Sequence, residues 1–188
     1  MAESKIEKIA GTHHTFLTKR FDRKNGDRIH FASAMTMTGN TEETLKTTTP
    51  SYLDIVDVIE NFGTDVKVNL HQLWRRIMFN IAISNTDDHL RNHGFILNEK
   101  GWALSPAYDV NPSIEKNGLA LYIDMDDNAL DFGLAKSVSV FFRLNDREMH
   151  SILDEVPKVV KDWKSIAKDI GIPNKEQLLM ESAFNTEI

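Results

Sequence analysis

Asp87 and Asn92 are separated by Asp88, His89, Leu90 and Arg91, and Asp109 follows after a mostly apolar stretch. Those three side chains are of the types that can handle a phosphoryl group. The reaction asks for a carboxylate that receives or orients a hydroxyl proton, and for at least two oxygen ligands that hold magnesium against phosphates. An Asp, four residues and an Asn put a base and a metal ligand on one tight turn, and a later Asp can supply the second ligand. With no cysteine in the chain, thiolate nucleophiles, thiolate zinc sites and disulfides are all excluded. The spacing alone also fits a solvated capping loop, because Asp and Asn favour such turns. For His89 and His93 a packing role competes with a chemical one.

The elements that must position this loop narrow the choice. Leu70, Leu73, Trp74, Ile77, Met78, Ile81 and Ala82 repeat at helical spacing between Asn69 and Ser84, with Phe79 and Ile83 adding apolar bulk on other sides. That pattern predicts a central, mostly buried helix that delivers the chain into Asn85–Asn92. Gly94–Leu97 and Trp102–Leu104 flank Asn98-Glu-Lys-Gly101, a hairpin signature leading to Asp109. Upstream, Ser51 with Asp54 predicts a capping box, followed by Leu53, Val56, Ile59 and Phe62, with Gly63 as a left-handed stop. His14–Phe21 and Arg28–Ala32 read as β segments of a small hairpin around Lys24-Asn-Gly-Asp27, and the threonine-rich 36–50 stretch reads as loop. Three helices are expected after Asp146: one to Val156, one from Pro157 to Ile170 stopped by Gly171, and one from Asn174 to about Phe184.

A chain of 188 residues is long enough for one domain with a sizeable core and short for two. The formal net charge of -6 argues against coating nucleic acid or an anionic membrane. No long apolar run or signal-like amino terminus is present, so a cytoplasmic protein is expected. Three decoys can be set aside. Asp131-Phe-Gly133 spells a metal-binding tripeptide but no hairpin closely precedes it. Asp124–Asn128 hints at a calcium loop, yet Ala129 and Ala135 occupy positions that need glycine and glutamate. His13 and His14 are adjacent, which is not helical metal spacing.

Taken in order, Asn85-Thr-Asp-Asp-His-Leu-Arg-Asn-His-Gly94 and Leu104-Ser-Pro-Ala-Tyr-Asp109, with Pro112 soon after, are similar to the two central motifs of HipA-like bacterial serine/threonine kinases. Phe16-Leu-Thr-Lys-Arg-Phe-Asp-Arg23 resembles a third. The resemblance implies an α+β, mainly α fold, the large C-terminal lobe of a bilobal protein-kinase-like enzyme, with residues 1–188 as one domain. It further implies that Asp87 is the catalytic base, that Asn92 and Asp109 bind Mg2+, and that His89 and Arg91 steady the phosphates or the loop. Lys19, Phe21 and Asp22 would lie in the segment joining the two lobes, its backbone against the adenine of ATP and Asp22 near the ribose.

The glycine-rich loop and strand lysine of the N-terminal lobe have no counterpart here, so the isolated chain is expected to be inactive. The resemblance also implies a toxin of a toxin–antitoxin pair, a DNA-binding HipB-like antitoxin as partner and a protein substrate such as an aminoacyl-tRNA synthetase. Direct contact with nucleic acid or membrane is not expected. Two rival readings are a small-molecule kinase of aminoglycoside-phosphotransferase type and a non-enzymatic module that keeps the lobe's shape.

Overall fold

The computed structural model describes residues 1–11, 13–115 and 117–187. An antiparallel pair, β1 (Ser4–Glu7) and β2 (Thr15–Thr18), opens the chain. A two-residue ladder of β3 (Arg23–Lys24) and β4 (Asp27–Arg28) follows. Then come β5 (Phe31–Ser33), α1 (Ala34–Met37), α2 (Tyr52–Phe62) and α3 (Val66–Ala82). The candidate loop leads to β6 (Gly94–Asn98) and β7 (Gly101–Leu104), which form a three-stranded sheet with β5 in the order β5-β6-β7. Four helices complete the chain: α4 (Phe132–Ser137), α5 (Asp146–Val160), α6 (Trp163–Asp169) and α7 (Asn174–Met180). Among the described residues no helix is long and apolar enough to cross a membrane.

The α3 helix is the axle, as its periodicity predicts. Leu70, Leu73, Trp74, Ile77, Met78 and Ile81 are all fully buried. They pack against Tyr52, Ile55 and Ile59 of α2 and against Ile152, Leu153 and Val156 of α5. Each such side chain withdrawn from water contributes about 1.5–3 kcal/mol. The Trp74 indole N–H donates to Ala135 O (2.9 Å), which joins α3 to α4. Two asparagines interrupt the buried surface. Asn69 donates to Thr64 O (2.5 Å) and accepts from Leu104 N (3.2 Å), tying α3 to the end of β7. Asn80 lies three turns further on and serves the candidate site.

Several expectations are met and several are corrected. The capping box of α2 is present, with Ser51 N donating to Asp54 (2.8 Å), and the β6–β7 hairpin has the expected bounds within a residue. Gly63 is not a left-handed stop: its φ is -80. A Cβ there would lie 2.4 Å from Ile59 O, so close approach to the α2 backbone is what demands glycine. The left-handed residue is Asp65, at φ 47, as the chain turns into α3. The two early β segments do not pair with each other. The Asn25-Gly26 turn closes only two residue pairs, while β2 pairs back to β1 and β5 pairs forward to β6. Pro157 does not begin a helix but sits inside α5, which runs on to Val160. A proline deletes one hydrogen bond without unwinding a helix whose other residues are packed, and Met149, Ile152, Leu153, Val156 and Val160 hold this one to the core.

Candidate active site

Everything between Ser84 and His93 is organised by one buried carboxylate that the spacing argument passes over. Asp88 sends its side chain inward, where a single oxygen, Oδ2, accepts from Tyr52 Oη (2.5 Å), Asn80 Nδ2 (2.7 Å) and His93 Nε2 (2.8 Å). All four residues are at most 2 % exposed. Tyr52 belongs to α2, Asn80 to α3 and His93 to the entrance of β6, so three elements meet at this atom. Burial and the neighbouring Asp88 charge push the Tyr52 phenol well above its ordinary pKa, which keeps it a donor. Asn80 also accepts from Asn85 Nδ2 (3.1 Å), and its carbonyl accepts from Asn85 N (2.9 Å). Ser84 reaches this turn with a left-handed φ of 51, and its hydroxyl is buried with no partner among the described residues.

Of the predicted residues on this turn, Asp87 and Arg91 are exposed, His89 is half-buried and Asn92 is buried. Asp87 is exposed, and its carboxylate makes no ion pair among the described residues. Its backbone carbonyl accepts from Asn92 Nδ2 (3.0 Å), so the asparagine side chain closes the turn with its amide and keeps its oxygen as an acceptor. His89 is half-buried, its Nδ1 without a partner among the described residues. Arg91 pairs with Glu42 (2.7 Å) rather than pointing alone at the loop.

Tyr108 brings the second motif to the first. Its hydroxyl donates to Arg91 O (2.6 Å), tying the segment that carries Asp109 to the turn that carries Asn92. Asp109 is exposed with a φ of 54, a conformation few non-glycine residues adopt outside sites where it is needed. Its Oδ1 accepts from Asn111 Nδ2 (3.0 Å). The third motif meets the same tyrosine: Phe21 lies 5.6 Å from the Tyr108 ring and 5.9 Å from Phe31. Asp22 is held by Arg20 and Arg23 (2.6 Å each), and these guanidinium groups pull its carboxyl down to about 2. Lys19 pairs with Glu3 (3.0 Å). The structure therefore gathers the segment around Phe21, the 87–92 turn and Asp109 around Tyr108.

The decoys lie elsewhere. Asp131 caps α4, accepting from Gly133 N (2.6 Å), and Asp124 accepts from Asp126 N and Asp127 N in a local turn. Among the described residues no three His, Cys, Asp or Glu side chains cluster to hold a metal. A magnesium ion bound to nucleotide needs fewer protein ligands, since phosphate and water oxygens fill most of its octahedron. One exposed carboxylate at Asp109 and the free amide oxygen of Asn92 are hard donors of the kind it takes. The residues present fit that ion.

A family model described as the HipA-like C-terminal domain matches residues 1–163. The chain belongs to that family. No curated protein matches the sequence significantly. Among solved structures, the HipA of a Shewanella oneidensis MR-1 toxin–antitoxin system, in complex with HipB and operator DNA, superposes with a TM-score of 0.67 at 15% identity, covering 97% of this chain and 49% of that one. The Helicobacter pylori proinflammatory kinase CtkA superposes with a TM-score of 0.52 at 16% identity, covering 83% of this chain and 69% of that one. At these identities the likeness is one of fold, and the HipA-like domain has the α+β, mainly helical architecture of the lobe shared by HipA and CtkA. The chain spans about half the length of the HipA chain it matches.

Spacing gave no role to Tyr52, Asn80 or Asp88, whereas His93 takes the packing role weighed for it and Tyr108 lies in the second motif. A signal existed. Asn80 falls on the otherwise apolar surface of α3, and a buried amide needs partners.

Proposed function

We propose that residues 1–188 form the C-terminal catalytic lobe of a serine/threonine-protein kinase, the cytoplasmic toxin of a bacterial toxin–antitoxin pair. The observation that carries this reading is the contrast between two adjacent aspartates. Asp88 is locked by three donors, while Asp87 stands exposed and unpaired among the described residues on the turn that Asn92 closes. A buried anchor that holds an exposed carboxylate still is what a general base requires, because a positioned base gains most of its effect from geometry.

In this reading Asp87 orients the acceptor hydroxyl of a protein Ser or Thr and takes its proton, and Asn92 and Asp109 hold Mg2+ against ATP. The ion, when bound, neutralises charge on the phosphates. His89 and Arg91 steady the loop, and the backbone from Lys19 to Phe21 lies against the adenine, with Asp22 towards the ribose. The phosphate-gripping N-terminal lobe is supplied by polypeptide other than these residues, so the isolated chain is inactive and binds ATP weakly. A HipB-like antitoxin and a protein substrate such as an aminoacyl-tRNA synthetase are the corresponding partners. The kinship with HipA supports the partner, since the Shewanella oneidensis HipA is in complex with HipB and its operator DNA.

The test is an enzyme completed with the N-terminal lobe. Asp87→Asn should nearly abolish turnover with nucleotide binding largely retained, whereas Asp109→Ala should raise the magnesium requirement and lower both. Robust protein phosphorylation by the 188-residue chain alone, or loss of ATP binding in Asp87→Asn equal to that in Asp109→Ala, would overturn the assignment.

A further inference from the structure

Behind the catalytic turn lies a cavity of about 560 Å3, bounded by α3, α5 and the segment from Leu104 to Val110. Asp87, His89 and Asp109 do not line it, whereas Asp88, Asn92 and His93 do, with Asp88 Oδ2 already engaged by its three donors. Its walls are mainly apolar, with Phe79 from α3, Val110, and Val156 and Val159 from α5. That size and character are those of a small-molecule site, an apolar pocket with a few polar groups to orient the guest.

The polar group is Arg76. Its Nη2 donates to Ser105 O, while its Nη1 is buried with no hydrogen-bond partner among the described residues. No carboxylate lies within ion-pairing distance of it among those residues, since the neighbouring Arg75 takes the rim residue Glu155 for itself. A guanidinium is always charged and offers its donors in a planar fork, and a buried cation without a partner is costly. Burial holds the Arg76 guanidinium down to about 10 even though the charge of Asp88, beyond ion-pairing distance, pulls the other way. A second buried nitrogen on the same cavity, His93 Nδ1, also lacks a partner among the described residues.

We propose that this cavity binds a small monocarboxylate with an apolar tail, the carboxylate held by Arg76 Nη1 and the tail lying against Phe79, Val156 and Val159. With Nη2 held by Ser105 O, the unpartnered Nη1 suits a single carboxylate oxygen, and the apolar walls match an alkyl chain. The inference does not depend on the kinase reading, because it uses none of the residues assigned to catalysis.

Calorimetric titration of the 188-residue chain with sodium octanoate below its micelle concentration is the test. Saturable binding at one site is expected, with affinity rising about fourfold per methylene from hexanoate to octanoate. Octan-1-ol should bind at least tenfold more weakly than octanoate, since it cannot meet the guanidinium charge. Arg76→Met should erase that difference, and Val156→Trp, which fills the cavity from α5 without touching Arg76, should abolish binding of both while circular dichroism remains that of the parent. Equal binding of the alcohol and the acid to the unmodified chain, absence of saturation by octanoate, or undiminished octanoate binding by Arg76→Met would each overturn the proposal.

Discussion

Removing a single oxygen, in Tyr52→Phe, measures how firmly the candidate turn is anchored. The phenol hydroxyl donates at 2.5 Å to Asp88 Oδ2, and the same oxygen takes Asn80 and His93. A hydrogen bond to a buried charged group is worth about 1.5–3 kcal/mol, so Tyr52→Phe should lower stability by that amount. For a chain of this length the melting temperature should fall by about 3–12 °C. Asp88→Asn keeps the shape but weakens all three acceptances, and about 3–5 kcal/mol is expected, the cost of breaking a buried charged cluster. In the double variant the tyrosine hydroxyl has little left to lose, so the two effects should fall short of additivity by about 1 kcal/mol or more. Urea unfolding of the four proteins reads this directly, as a shift in midpoint at constant slope. If Tyr52→Phe stays within about 0.5 kcal/mol of the parent, or the effects simply add, Asp88 is not an anchor and the turn is held by its backbone alone.

Other perturbations address single features. Ser84→Gly relieves a left-handed backbone and deletes a buried, unpartnered hydroxyl, so thermal unfolding should show a gain of about 1 kcal/mol. Gly63→Ala should destabilise by about 1–3 kcal/mol in the same assay, because its Cβ would sit 2.4 Å from Ile59 O. Asp131→Ala removes the cap of α4 and should cost about 1 kcal/mol by urea titration, while leaving the magnesium requirement of the completed enzyme unchanged. The carboxyl of Asp22 is depressed from 3.8 to about 2, so its contribution is fully present above pH 4 and is lost as pH falls towards 2. Acid titration of Asp22→Asn should therefore show a shallower decline than the parent across that window.

How much of this was readable from residues depends on whether the determining contacts are local. The α3 helix, the capping box at Ser51 and the β6–β7 hairpin are specified within a few turns of chain, and their bounds follow from periodicity and turn residues. The sheet partners of β2 and β5 are set by distant segments, so the expected early hairpin gave way to other pairings. Pro157 shows packing overriding a local rule, and Gly63 shows a glycine kept for space rather than for φ. At the site, spacing and order drew attention to Asp87, Asn92 and Asp109, whose neighbours in sequence lie within one turn or one hairpin. The anchor at Asp88 was not legible in that way, because the Tyr52–Asp88 contact joins positions 36 residues apart and no period links them.

The locked state of Asp88 bears on how this turn can change over generations. Two neighbouring aspartates ordinarily give a lineage a spare, since a lost function can drift one position along the chain. Here the spare is unavailable. Freeing the Asp88 carboxylate would strand the donors of Tyr52, Asn80 and His93 together, so, if Asp87 is the base proposed above, its loss is not one step from rescue by its neighbour. Selection for restored function from Asp87→Asn should return true revertants at position 87, and suppressors at Tyr52, Asn80 or His93 that release Asp88 should be missing from the survivors.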